Sequence, residues 1–200
     1  MASINYALKE ISCKIVYYGP GMCGKTTNLQ YIHQHTVADK RGNMVSLATP
    51  GERTLFFDFL PLEASRIHGF RTKFQLYTVP GQVMYNSTRK LVLRGVDGVI
   101  FVCDSQWEKM RENLESFRNL RENLASYGYS LETTPYVVQY NKRDLPNIGP
   151  TEYMQYVVNS RQVPHFEAIA IRGEGVFETL SCICSLVLGQ MSQKQEVGAV

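Results

Sequence analysis

The chain has 200 residues, of which 44% are hydrophobic and 20% charged, with a formal net charge of +3. This is ordinary globular usage in a length that supports a large core, so wholesale disorder and dependence on disulfide staples are both excluded. No uncharged apolar run approaches the roughly eighteen residues of a membrane helix, and so small a positive excess gives no ground for a nucleic-acid or membrane partner.

The five cysteines (Cys13, Cys23, Cys103, Cys182 and Cys184) are odd in number and lie in apolar stretches. They read as buried free thiols of a reduced compartment. Met1-Ala2-Ser3 opens without the apolar core of a signal peptide or a myristoylation start, and Val197 to Val200 offers no prenylatable Cys. The expectation is a cytoplasmic protein with no direct membrane anchor.

In chain order, Cys13 to Tyr18 is short, rich in β-branched and aromatic residues, and ends at Gly19. It predicts a strand. Thr26 to His35 predicts a helix with Leu29, Ile32 and His33 on one face. Met44 to Ala48, Thr54 to Leu60 and Phe70 to Val79 predict three further strands, the last alternating with period two. Arg89, Lys90 and Arg94 form a basic cluster that reads as a solvated face. Val99 to Cys103 and Tyr136 to Tyr140 are nearly continuous apolar runs, suited to central parallel strands covered on both faces. Between them, Glu108 to Ser126 predicts a helix with Met110, Leu114, Phe117, Arg121 and Leu124 on one stripe. Thr151 to Asn159 predicts a shorter helix and Glu167 to Ile171 a final strand. Val176 to Met191 closes as a helix with Phe177, Leu180, Cys184 and Val187 inward. Alternating strands and helices mean an α/β fold with a mostly parallel sheet and helices on both faces. Residues 1–191 form one domain in this reading, and 192–200 a flexible polar tail.

Gly19-Pro20-Gly21-Met22-Cys23-Gly24-Lys25-Thr26 fits G-x-x-x-x-G-K-[ST], a P-loop motif placed between a predicted strand and a predicted helix. Glycines let successive backbone N–H groups turn inward on phosphate, and the helix adds its positive end. Gly19, Gly21, Met22, Cys23, Gly24, Lys25, Thr26 and Thr27 are therefore the candidate cradle. Lys25 can bridge the outer phosphates, and the Thr26 hydroxyl can ligate Mg²⁺. Cys23 is best read as a small space-filling residue.

The strand Tyr136 to Tyr140 runs into Asn141-Lys142-Arg143-Asp144. A carboxylate at Asp144 can accept from guanine N1–H and its exocyclic amine together, a donor pair adenine lacks. Asn141 can contact the other edge of the base, and the Lys142 stem can cover its face. This element falls at the carboxyl end of a predicted parallel strand, where ligands of open α/β sheets bind.

With these two motifs, residues 11–190 resemble the Ras-like small GTPases. The resemblance implies that Pro80-Gly81-Gln82 ends a D-x-x-G-Q element, with the Gly81 N–H sensing the γ-phosphate and Gln82 orienting water. Thr78 stands where that family has its Mg²⁺-linked Asp, and supplies no charge. Ala170 takes the place of the last guanine loop, its N–H reaching the guanine carbonyl, and Ile171 replaces the usual lysine. A closer likeness is to the bacterial gliding-motility and polarity GTPases of the MglA type. Cys13 to Gly21, Ser46 to Thr49, Glu52 to Pro61, Tyr77 to Gln82 and Asn141 to Asn147 carry it. That likeness implies a GTP/GDP switch with Mg²⁺, regulated by a roadblock-domain partner of the MglB type and acting on polarity and motility effectors. It implies a monomer concentrated at a cell pole by protein partners.

The same resemblance assigns Arg53 as an arginine finger supplied in cis, and Gln82 as its catalytic companion. Thr54 is the candidate switch I threonine toward Mg²⁺, with Thr49 close enough to compete. It also implies that the strand Thr54 to Leu60 changes register between nucleotide states. Gly21 is expected to lack a side chain because a Cβ there would intrude on Gln82. The alternative is a scaffold that binds nucleotide without useful turnover, which Thr78 favours and Gly21, Arg53 and Gln82 oppose. Asn141 and Asp144 argue against a P-loop ATPase or kinase. His33 and His35, at i and i+2 on a helix, point to different faces and do not suggest a metal. Trp107 reads as a hydrophobic anchor.

Overall fold

The computed structural model describes residues 3–49, 53–67 and 69–197. Among them, eight strands form one sheet in the order β3-β4-β5-β2-β6-β7-β8, with β1 (Ser3–Asn5) pairing antiparallel to β2 (Glu10–Tyr18). β5 (Phe70–Thr78), β2, β6 (Gly98–Asp104), β7 (Tyr136–Asn141) and β8 (His165–Glu167) run parallel. β3 (Val45–Thr49) and β4 (Arg53–Ile67) add antiparallel strands at one edge. This is the expected mostly parallel sheet. β4 is 15 residues long, more than twice the predicted span, because its outer half continues to pair with the start of β5.

Alternation along β2 shows how both faces are covered. Cys13, Ile15 and Tyr17 pack with Leu29 and Ile32 of α1 (Lys25–His35) and with Val176, Ile183 and Val187 of α5 (Val176–Val197). Val16 and Tyr18 point the other way, toward α2 (Asn86–Leu93), α3 (Met110–Ala125) and α4 (Thr151–Val158). β6 and β7 are buried at every position, as strands sandwiched between two helical layers must be.

Four expectations change. The final strand ends at Glu167 rather than beginning there, because the chain turns through Gly173 and Gly175, both at positive φ. Ile171, expected in that strand, is 75% exposed. α5 runs to Val197, past the expected end at Met191, since no Gly or Pro interrupts Ser192 to Val197. On α5 Leu180 and Val187 are buried as expected and Ile183 joins them, whereas Cys184 is only partly buried and Phe177 stands partly exposed. On α3 the buried stripe is Asn113, Ser116, Asn119, Leu120, Asn123 and Leu124, whereas Arg121 is exposed. Apolar periodicity misplaced that stripe because polar side chains occupy four of its six positions, each hydrogen-bonded inside the protein. Among the described residues, no helix is long and apolar enough to cross a membrane.

Candidate functional site

The carboxyl ends of β2, β6 and β7 meet at one edge of the sheet, and three loops rise from them. Gly19 to Gly24 leaves β2 and turns directly into α1. Gly24 caps that helix in the left-handed region at φ +99°, and a Cβ there would sit 2.1 Å from Asn141 Nδ2. Only glycine satisfies both demands. Met22 also adopts positive φ, with its side chain exposed. The first turn of α1 carries no acidic residue, so its N-terminal positive end is left open to an anion.

Lys25 is almost fully buried. Its ammonium donates to the carbonyl oxygens of Pro20 (2.6 Å) and Gly19 (3.2 Å), and to Cys23 Sγ (3.6 Å). Burial holds its pKa below the ordinary lysine value, opposed by Cys23 and reinforced by the nearby Arg89 cation. Such a cation gains from any anion entering the loop. Burial pushes the Cys23 thiol upward, so it stays protonated and fills space, as expected.

Thr26 faces β4. Its Oγ1 donates to Asp58 Oδ2 at 2.6 Å. Thr78 Oγ1 donates to the same carboxylate at 2.7 Å, and Ser46 Oγ donates to Asp58 Oδ1. Asp58 is fully buried. A carboxylate from the neighbouring strand thus stands beside the uncharged Thr78. Sequence reasoning overlooked Asp58 because it lies inside the apolar run Leu55 to Leu60. A lone carboxylate in such a strand was the available signal. Among the described residues the cluster offers oxygen donors, three hydroxyls and one carboxylate, which fits a hard cation such as Mg²⁺.

Arg53 and Thr54 open β4, opposite Thr49 and Ala48 of β3. Their side chains, and that of Thr49, lie outside the described residues. Gly81 packs directly on the phosphate loop: a Cβ on it would lie 2.2 Å from Gly21 Cα. A Cβ on Gly21 would meet only the Gly81 carbonyl carbon, at 3.9 Å, so the expected clash with Gln82 is not what keeps Gly21 small in this conformation. Gln82 follows in extended backbone and caps a short 3₁₀ turn over Val83–Tyr85.

The base-side loops are tied to the phosphate loop by Asn141. Its Nδ2 donates to the Cys23 carbonyl at 2.8 Å, and its Oδ1 accepts from the Ala170 amide at 2.9 Å. Asn141 thus holds the loops together, with its second Nδ2 hydrogen left for a base edge, and the Ala170 N–H is directed at Asn141. Lys142 takes φ +66° and pairs with buried Asp104 at 2.7 Å, which fixes the end of its stem. Asp104 is itself gripped by Gln106 and Asn113. Asp144 is exposed and makes no hydrogen bond or ion pair to any described residue, leaving its carboxylate open to a donor pair.

Other features resolve quietly. Trp107 packs its ring 5.0 Å from Tyr153 but stays 41% exposed, a partial anchor. His35 stacks on Tyr31. Arg89, read as solvated, is fully buried.

A sequence model of the ADP-ribosylation factor family matches residues 1–187. The mutual gliding-motility protein MglA of Myxococcus xanthus (strain DK1622) is 58% identical over 193 residues, covering 96% of this chain and 99% of that protein. The Ypt/Rab-type GTPase ypt7 of Schizosaccharomyces pombe is 25% identical over 188 residues, covering 92% of this chain and 85% of its own. The Ras-related protein Rab-7a of Dictyostelium discoideum is 25% identical over 181 residues, covering 86% and 82%.

Proposed function

The chain belongs to the Arf/Ras-like family of small GTPases and is a GTP-hydrolysing enzyme, and on that footing we propose that it is a GTP/GDP switch for bacterial motility and cell polarity. The observation that carries the site reading is the buried oxygen cluster beneath the P-loop, where Asp58 joins Thr26 and Thr78. It supports a nucleotide site with its own metal-side carboxylate, and so weighs against the non-hydrolysing scaffold that Thr78 had favoured.

In this reading Gly19 to Gly24 wraps the phosphates with backbone N–H groups, and Thr27 extends that cradle into α1. Lys25 exchanges its loop carbonyls for phosphate oxygens. Thr26 and Asp58 would hold Mg²⁺, with Thr78 orienting the carboxylate and Thr54 adding a hydroxyl in the triphosphate form. Mg²⁺, when bound, neutralises charge across the phosphate oxygens. Asp144 selects guanine through its paired donors, Lys142 covers the ring, and Asn141 with Ala170 sets the loops around it. Gly81 reports the γ-phosphate and Gln82 orients water. Arg53, supplied from the same chain, neutralises charge on the transferring group.

A cis arginine on a strand end must be placed before it acts. Intrinsic turnover is therefore slow, on the order of 10⁻⁴ to 10⁻² s⁻¹ as in switches without help. A roadblock-domain partner of the MglB type accelerates it by ordering Arg53 and Gln82. The likeness to a gliding-motility protein supports the motility role. The protein acts as a monomer of one domain, held at a pole by protein partners and effectors. Single-turnover hydrolysis of GTP and ATP, with and without such a partner, tests this. GTP-selective, partner-stimulated hydrolysis is expected. Binding without turnover under both conditions would overturn it.

A further inference from the structure

Among the described residues, Arg89 is the largest fully buried side chain. It lies on α2, and its guanidinium reaches three separate parts of the fold. Nε donates to Tyr18 Oη at 3.0 Å, Nη2 to Ser116 Oγ at 2.8 Å, and Nη1 to the Gly81 carbonyl at 3.0 Å. The guanidinium also sits 4.4 Å from the centre of the Tyr18 ring. Tyr18 is the last residue of β2 before the phosphate loop, and Ser116 lies on α3.

All three acceptors are neutral. A buried cation without a carboxylate is costly unless something offsets its desolvation. Its surroundings are rigid instead of ionic. Tyr18 Oη donates to Asn119 Oδ1 at 2.7 Å and accepts from Asn123 Nδ2 at 3.0 Å. Asn86 Oδ1 accepts from Asn119 at 2.9 Å and Asn123 at 2.8 Å. Tyr18, Asn86, Asn119 and Asn123 thus form a closed polar cage behind Arg89, with the guanidinium reaching out of it to one loop atom.

That atom is the Gly81 carbonyl, which belongs to the peptide joining Gly81 to Gln82. A bond to this oxygen fixes the plane of the peptide, and with it the direction in which Gln82 leaves the loop. We propose that Arg89 is a positioning residue for Gln82, clamping the Gly81–Gln82 peptide to α3 and to the entry of the phosphate loop. The proposal rests on the GTPase reading above. The field of the Arg89 cation reaches the phosphate cradle, where it adds to the lowering of the Lys25 pKa caused first by burial. Water-orienting groups are sensitive to small displacements, and a misplacement of about 1 Å costs roughly a hundredfold in rate.

The test is a double-mutant cycle on the full chain with Arg89→Lys, Gln82→Ala and the double variant. Fluorescent GDP binding and single-turnover GTP hydrolysis are measured for each. Arg89→Lys keeps the charge but loses the planar fork that serves three acceptors. GDP affinity is expected to stay within about threefold, while hydrolysis falls about tenfold or more. In the Gln82→Ala background the same change should cost nothing further, because both act as one unit. Hydrolysis within about twofold of the unsubstituted protein overturns the proposal, as does a loss that multiplies in the Gln82→Ala background. Absence of GTP hydrolysis in the unsubstituted protein overturns the GTPase reading itself, a separate result. If Arg89→Lys does not fold, the Arg89 side-chain N–H resonances of the unsubstituted protein decide. Slow exchange with a shift between GDP and GTP-analogue complexes supports the clamp; signals indifferent to the nucleotide overturn it.

Discussion

Thr78 and Asp58 are bonded twice across the β4–β5 ladder: Thr78 Oγ1 donates to Asp58 Oδ2 at 2.7 Å and accepts from the Asp58 amide at 2.9 Å. In the proposed function the strand that carries Asp58 would carry the metal-side charge, and Thr78 holds that carboxylate in place. Asp58→Asn keeps the shape and removes the charge. It should raise the Mg²⁺ concentration needed for slow nucleotide release by about tenfold, equivalent to about 1.4 kcal/mol. A Mg²⁺ titration of nucleotide dissociation reads this directly. Thr78→Asp should not improve metal binding. It sets two carboxylates together in a fully buried site, and a lower melting temperature in Mg²⁺-free buffer is the expected sign.

Gly81→Ala should be far more damaging than Gly21→Ala. The Gly81 Cβ would lie 2.2 Å from Gly21 Cα and 2.5 Å from Gly21 N, so backbone must move, at about 1–3 kcal/mol. The Gly21 Cβ meets ordinary contact at 3.9 Å. Thermal melting and GDP affinity of the two variants compare them. Equal losses would show that the loop–loop contact does not limit either site.

Nucleotide affinity should weaken at alkaline pH earlier than an ordinary lysine would dictate. Burial lowers the Lys25 pKa below 10.5 in the free protein. Bound phosphate favours the charged ammonium, so binding takes up a proton once the pH exceeds the lowered value. The sign for folding is opposite. Between the lowered folded pKa and the unfolded one, the unfolded chain holds more protons, so this group's contribution to nucleotide-free stability rises with pH. GDP titrations in a pH series, repeated with Lys25→Arg, check the first effect. An unchanged profile in that variant would assign it to another group.

Arg53→Ala should retain nucleotide binding and lose partner-stimulated hydrolysis. The variant probes a residue on β4, outside the P-loop and the base-side loops, so binding and turnover should separate. Single-turnover rates with a roadblock-domain partner measure it, and normal stimulation would remove Arg53 from the mechanism.

If β4 changes register between nucleotide states, it should move by an even number of residues. Phe57 and Phe59 flank Asp58 and lie against Tyr77, with ring centroids 5.8 and 4.8 Å away. A slip by one would exchange the two faces of the strand, whereas a slip by two keeps each side chain on its own face and sets Leu60 or Phe56 in the place of Asp58. Structures with GDP and with a GTP analogue would show the pairing of Phe59 with Tyr77 either kept or moved by two.

The P-loop was legible because its function resides in local backbone geometry: Gly24 and Lys25 do their work within one turn of chain. The Asn141 to Asp144 element was legible as a motif, yet its division of labour was not. Asn141 turned out to bond Cys23 and Ala170, residues distant in sequence. α2 and the buried face of α3 were missed for a related reason. Arg89, Asn119 and Asn123 look solvated one at a time, and only mutual hydrogen bonding makes their burial tolerable. The sequence alone determined the layered α/β order and the phosphate loop, since periodicity and glycine placement are local properties of the chain. Tertiary structure alone decided that Asp58 lies against Thr26 and Thr78, and that Arg89 faces inward to Gly81. Both depend on which strands and helices become neighbours, and a single chain position records nothing of the partner that will satisfy its charge.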